Sequence, residues 1–410
     1  MREKIENILI ERVLNRQYKT NEKILKEIGE VLGMTGEIRS SDLYKVKQQL
    51  KYDEKLEKIL KILEENSKIT SKEISDMFEE RAKTDYEFAE QYYNARGEKQ
   101  LPYDENIPLK NKVDEIARAT FDEFFEISTY SNVSHTTGLT FLDIDGNQVT
   151  KGISDAYKQI VDDAIINVRM GKESFDVALA NQLKTIGQNG VQQIEYESGH
   201  HRRIDSALRM NLQEGLTRLS MAQQEIVGKQ FGADGVEITV HDNPAPDHAP
   251  LQGHIFEKEE FKKLQSGSLA KDVDGNSFQI DRAIGQWNCY HDVFEIVLGV
   301  STPRYSKKEL ETIIKKNEKG FTYENKHYTM YEATQKQRQL EREIRRARET
   351  QIMQKASLNQ LTNQDDFLKL NSDLDKTKER INNLLSKYHS FSKESGLPTQ
   401  LERTRLLTNK

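Results

Sequence analysis

A single cysteine, Cys289, stands in 410 residues, so no disulfide can form within the chain and nothing points to an oxidising compartment. Tryptophan is as scarce: Trp287 is the only one, two positions before that cysteine. A basic excess is also missing. Lys and Arg total 61 against 67 Asp and Glu, a net charge of −6, which argues against a bulk nucleic-acid binder while leaving room for local basic patches. No apolar run approaches the roughly 18 to 20 residues that span a bilayer. The opening MREKIENILIERV has neither the apolar core nor the small-residue cleavage site of a signal peptide. The expectation is a soluble protein made in a cytoplasm, without a membrane segment. No P-loop, no GxGxxG after a strand, no HExxH and no GxSxG is present. As an enzyme the sequence is silent.

What is there reads as a predominantly helical α+β protein, long enough for two or three domains. Residues 1–130 are expected to be a helical N-terminal region. Ile24, Ile28, Val31 and Leu32 form one apolar stripe, and Leu56, Ile59, Leu60 and Leu63 another. Thr70 to Glu73 fits a capping box that opens a further helix, and 96–110, with two prolines, reads as a linker or arm. Residues 131–300 are expected to be a central α+β domain. Its hairpin spans Leu139 to Thr150 with the turn at Asp145-Gly146. One helical face carries Ile153, Tyr157, Ile160, Val161, Ala164 and Val168. A second carries Phe175, Leu179, Leu183 and Ile186 and is stopped by Gly187. A long helix from Ile204 to Phe231 buries Leu208, Leu212, Leu216 and Leu219. Val236 to Val240 alternates like a half-buried strand, with Glu237 and His241 on its polar face. Residues 301–410 are expected to be a helical tail. There Phe367, Leu370, Leu374, Thr377, Ile381, Leu384, Tyr388 and Phe391 make a short heptad seam, open to pairing within the chain or with another subunit.

Six of the nine histidines fall between 200 and 291, beside Cys289, and three of the seven prolines stiffen the loop from His241 to His254. A thiolate and imidazoles suit tetrahedral zinc, so His241, His248, Cys289 and His291 form a candidate structural zinc set. Cys289 and His291 share a face if their segment is extended. The alternatives are hydrogen bonding within the loop, or a cysteine nucleophile with a histidine base oriented by Asp247. Asp143 to Asn147 and Asp272 to Asn276 look like calcium loops but bring their glycine too early, and both read as turns. The segment 337–349 is a helix with Leu340, Ile344 and Ala347 on its apolar side. Its arginines, among them Arg338, Arg342, Arg345 and Arg346, form an ion-paired solvent face or a contact for DNA phosphates.

Several pieces, in order, carry a resemblance. They are Arg209-Met-Asn211 on the long helix and Pro246-Asp-His248-Ala-Pro-Leu-Gln252-Gly253. After them come Asn288-Cys289-Tyr290-His291 and the run from Tyr331 through Gln335 to Arg346. Together, over roughly residues 140 to 395, they resemble the phage minor capsid protein 2 family of tailed phages and prophages, and more distantly the Mu-type head-morphogenesis proteins. Two family arginines are replaced, by Ala245 and Tyr290, and both losses remove positive charge. The resemblance implies a structural minor protein of the virion head, made in the bacterial host cytoplasm. It implies action at the portal vertex in head assembly and genome delivery, with the portal protein, capsid proteins and packaged DNA as partners. It brings no catalytic residues and no cofactor, so zinc stays an option raised by the residues alone. The competing classes are a zinc- or cysteine-dependent hydrolase used in entry and an assembly chaperone absent from the finished particle.

Overall fold

The computed structural model describes residues 2–35, 42–95, 99–129, 135–170, 175–190, 193–196, 201–287 and 289–404. Helices α1 (Arg2–Met34), α2 (Asp42–Ala95) and α3 (Ile107–Thr129) come first. A hairpin of β1 (His135–Leu142) and β2 (Gln148–Lys151) precedes α4 (Ile153–Met170) and α5 (Phe175–Asn189). Strands β3 (Gln193–Tyr196) and β4 (His201–Arg203) lead into α6 (Ile204–Gln230). A compact stretch then holds β5 (Gly235–Ile238), β6 (Ile255–Glu257), α7 (Lys258–Gln265), β7 (Ala270–Lys271), β8 (Ser277–Phe278) and β9 (Val293–Ile296). After it come α8 (Lys307–Lys319), the hairpin β10 (Phe321–Tyr323) and β11 (Lys326–Tyr328), and the helices α9 (Met330–Leu358) and α10 (Gln364–Ser395). The expected helix-dominated α+β class is observed.

The sheets are small and antiparallel. One has the order β2-β1-β3-β4 and another β6-β5-β9. Asp143 closes the first hairpin by accepting the N–H groups of Asp145 and Asn147 on Oδ1, at 3.0 and 2.8 Å, which spares both donors an unsatisfied state. Asp272 does the same for Asn276 at 2.7 Å. Both acidic loops are turns, as their early glycines predict.

Apolar periodicity located most helix faces. Ile24, Ile28, Val31 and Leu32 are buried, as are Ile153, Tyr157, Ile160 and the whole of the Phe175 to Ile186 and Leu208 to Leu219 stripes. The side chains of Val161, Ala164 and Val168 lie outside the described residues. Several local expectations are corrected. Leu60 is 44% exposed, while Leu56 and Ile59 of the same stripe are buried. No helix opens at Thr70, because α2 runs through it unbroken. It has Ile59 in one core and Ile74 and Phe78 in another, so packing at both ends holds the turn helical and overrides the local cap. Gly187 does not stop α5, which ends at Asn189 before Gly190 in a left-handed conformation. Gly187 is instead where α9 approaches: a Cβ there would sit 2.3 Å from Thr350 Oγ1 and 2.7 Å from the Thr350 backbone. Strand β5 is buried on both faces rather than one, because the segment after β9 covers Glu237, whose carboxylate accepts the Arg304 N–H at 2.9 Å.

Helix α9 is the axis on which distant parts meet. It packs against α1, α5 and α10. On α1, Gly29 lets the helices touch: a Cβ would fall 2.8 Å from the Met353 carbonyl, and Ser357 donates to the Gly29 carbonyl at 2.5 Å. The two largest cores therefore draw on residues far apart in sequence. One combines Ile24 to Leu32, Leu139 to Ile186, Met353 and Leu370 to Leu374, so the cores cross the boundaries expected at 130 and 300. The heptad seam packs inside the chain. Leu370 and Leu374 enter that same core, while Tyr388 and Phe391 pack with Leu340, Ile344 and the β10–β11 hairpin. Phe367, at its start, is 41% exposed.

Candidate functional site

The motif residues gather where the loop after β5 meets the turn before β9. Cys289 donates its backbone N–H to the Gln286 carbonyl at 3.0 Å, so the chain turns back here instead of running extended, with Trp287 exposed and in a left-handed conformation. The turn carries Cys289 and His291 into the interior, where their Sγ and Nδ1 lie 3.4 Å apart. The proline-rich loop brings His248 to the other side of the thiol, with Nδ1 3.1 Å from Sγ. These three side chains are buried, and their ligand atoms lie within 4.8 Å of one another. His241 completes the neighbourhood without joining the cluster: its ring centroid is 4.2 Å from that of His291.

The remaining motif residues hold this arrangement. Gln252 is buried; its Oε1 accepts the His241 N–H at 2.9 Å and lies 3.1 Å from His291 Nε2. Gly253 has φ +73°, a conformation that favours glycine, and the Leu310 side chain packs where a Cβ would sit. Asp247 takes a two-pronged contact from Arg282 at 3.1 and 3.0 Å, and Arg282 also donates to the Trp287 carbonyl at 2.9 Å, tying loop to turn. Asn288 lies outside the described residues.

Burial governs the protonation of the cluster. It lowers the pKa of His241 and His248 and pushes His291 down to about 2, with the neighbouring imidazoles and Arg282 adding to the effect on His291. Burial also raises the Cys289 thiol. At neutral pH the group is three neutral imidazoles and a thiol. A thiol held neutral and enclosed is a poor nucleophile, which disfavours the cysteine-triad arrangement. A neutral imidazole is the form that binds a metal.

The cluster forms one wall of a cavity of about 330 Å³. The other walls carry Arg209, Arg282, Arg338, Arg342, Arg345 and Arg403, against only Asp242 and Glu341 among the acidic residues lining it. Most of these arginines are held by partners. Arg345 Nε lies 3.1 Å from Asp205, Arg338 contacts Glu341 at 2.8 Å, and Arg209 and Arg403 share Glu11 at 2.5 and 3.3 Å. Arg342 forms no ion pair among the described residues, and Arg346 lies outside the cavity on the exposed side of α9. Burial and the nearby Arg209 and Arg338 lower Arg403 to about 10, a sign that cations here outnumber the carboxylates facing them. Of the four α9 arginines named as a contact for DNA phosphates, Arg338, Arg342 and Arg345 reach this cavity. Arg282 and Arg403 were not singled out from the sequence, where each stands without a pattern that marks it.

A model of the phage minor capsid protein 2 family matches residues 9–386. The chain belongs to that family. The match takes in most of the N-terminal helical region, which the motif resemblance from about residue 140 onward had not reached. No curated protein and no solved structure matches the chain. Family membership makes it a phage minor capsid protein, a structural class whose partners are other phage structural proteins. No helix among the described residues is long and apolar enough to cross a membrane.

Proposed function

We propose that this minor capsid protein is a structural component of the phage head that sits at the portal vertex, where it contacts the portal and capsid proteins and the packaged DNA. The observation that carries the reading is the family match over residues 9–386. The architecture supports it: long helices offer extended surface, and a core that knits distant segments suits a part that must keep its shape in a pressurised particle. On this reading the protein is made in the host bacterial cytoplasm, enters the head during assembly and takes part in genome delivery.

DNA contact is assigned to the arginine cavity. Arg342, which forms no ion pair among the described residues, and Arg338 offer donors to phosphate oxygens, and an enclosed setting strengthens such charge-assisted contacts. Mass spectrometry of purified virions tests location, with peptides of this chain expected at low abundance relative to the major capsid protein. Virions that lack the protein while its gene remains required for assembly would overturn the structural reading in favour of an assembly chaperone. DNA binding by the purified chain should weaken with salt and weaken further in Arg338→Ala/Arg342→Ala. A double variant that binds like wild type removes the cavity from the contact.

A further inference from the structure

We propose that His248 Nδ1, Cys289 Sγ and His291 Nδ1 form a zinc site that staples the proline-rich loop to the turn before β9. Such a site follows from where the protons can sit and does not depend on the role in the head.

Two partners cannot donate, and they fix the tautomers. His248 Nε2 lies 2.8 Å from the Arg282 carbonyl oxygen, so Nε2 carries the hydrogen and Nδ1 keeps a lone pair. Gln252 Oε1 accepts the His241 backbone N–H, which identifies that atom as the amide oxygen. His291 Nε2, 3.1 Å from the same oxygen, is therefore also the donor, and its Nδ1 is also a lone pair. Both lone pairs face Cys289 Sγ, at 3.1 and 3.4 Å. The thiol has one hydrogen for two acceptors. In a buried cluster that leaves one imidazole nitrogen without a donor, a state that folded proteins rarely keep.

A divalent cation in place of the thiol hydrogen resolves the shortfall. The thiol proton passes to solvent, the thiolate and both Nδ1 lone pairs bind the ion, and no other atom changes partner. Thiolate with imidazole is the donor set of zinc sites. Bond lengths of about 2.3 Å to sulfur and about 2.0 to 2.1 Å to nitrogen place tetrahedral S and N ligands about 3.6 Å apart. The two sulfur–nitrogen separations have only a few tenths of an ångström to open, and all three ligand atoms already lie within 4.8 Å of one another. Each imidazole already donates its outer N–H to a fixed oxygen, the second layer that orients histidine ligands in metal centres. All three ligands line the arginine cavity, so the fourth position opens into it and takes water or a small anion. His241, whose Nδ1 is 2.8 Å from the Asp242 carbonyl, stays outside the shell and supports His291 by ring contact.

The test uses the full chain, stripped with a chelator and titrated with Co²⁺. One equivalent is expected to bind, with the strong visible bands of a tetrahedral ion and a thiolate-to-cobalt absorption in the near ultraviolet. Zn²⁺ should abolish both by displacement. Cys289→Ser should lose the near-ultraviolet band with its helical circular dichroism unchanged, and His241→Ala should keep the full spectrum. If Cys289→Ser fails to fold, the wild-type chain still decides the matter. Alkylation of Cys289 should slow about tenfold or more when zinc is added and recover on chelation. Folded protein that binds no stoichiometric cobalt, or an alkylation rate indifferent to zinc, overturns the site. Loss of the tetrahedral bands in His241→Ala overturns the open fourth position.

Discussion

Arg203, the last residue of β4, grips Glu349 on α9 with both terminal guanidinium nitrogens, at 2.7 and 2.6 Å, and both side chains are almost wholly buried. Its Nε turns to Asp205 at 3.2 Å, and Asp205 in turn faces Arg345 of α9 at 3.1 Å. Four charges thus stand in the interior where α6 meets α9, close behind the arginine cavity. Charges there are tolerable only as a set, since removing one leaves its partner desolvated and unpaired.

Glu349→Ala should therefore destabilise the protein by about 3–5 kcal/mol, read as a lower urea midpoint with unchanged slope. Replacing both partners with apolar residues, Arg203→Met with Glu349→Leu, should cost clearly less than the single change. A single variant that loses under about 1 kcal/mol would mean that the pair is not isolated from water as the structure has it.

Asp205 makes stability depend on acid. Burial alone would raise its pKa, but Arg203, Arg345 and Arg209 outweigh that and hold it down at about 2, well below the ordinary aspartate value. A depressed carboxyl contributes stability that is complete above its unfolded value and is lost as pH falls through the folded one. The window here is pH 4 down to 2, and the size is on the order of 2 kcal/mol. Urea melts across that range should show the loss, and Asp205→Asn should flatten that part of the profile while lowering stability at neutral pH.

Gly187→Ala places a methyl group 2.3 Å from Thr350 Oγ1 and 2.7 Å from backbone atoms of α9. Overpacking of this kind costs about 1–3 kcal/mol. Because backbone as well as side chain is in the way, Thr350→Ala should not restore stability. Full rescue in thermal melts would show that the hydroxyl alone closes the contact.

Phe391 is fully buried, with the rings of Phe321, Tyr323 and Tyr328 at 5.3, 5.1 and 5.5 Å. Phe391→Ala should cost about 3–5 kcal/mol and leave the sedimentation behaviour unchanged, because the seam on α10 faces its own chain. A change of oligomeric state with little loss of stability would reassign that seam to a subunit contact.

Much of this fold was legible where burial is apolar and regular. The stripes from Phe175 to Ile186 and from Leu208 to Leu219, and the turn at Asp143, follow from period and turn chemistry alone. What the pattern hides is polar burial. Arg203, Asp205, Glu237 and Glu349 read as surface charges, since only partners distant in sequence make their burial affordable. The β10–β11 hairpin escaped notice because three-residue strands leave too short a period to register. At the candidate site, proximity of His248, Cys289 and His291 was anticipated, and the exclusion of His241 was not, because loop geometry decides which ring nitrogen reaches the thiol. The cavity arginines come from four stretches of chain, and no local motif ties them together.

One of those stretches sets an order of events. Arg403 lines the cavity while its side chain reaches Asn7 at 2.9 Å and Glu11 at 3.3 Å on the first helix. A ribosome must therefore have passed residue 403 before the first helix can acquire its final neighbour. Until then the cavity lacks a wall and Glu11 answers to Arg209 alone. A chain cut short of that arginine would keep the pocket open, however well its other walls had folded.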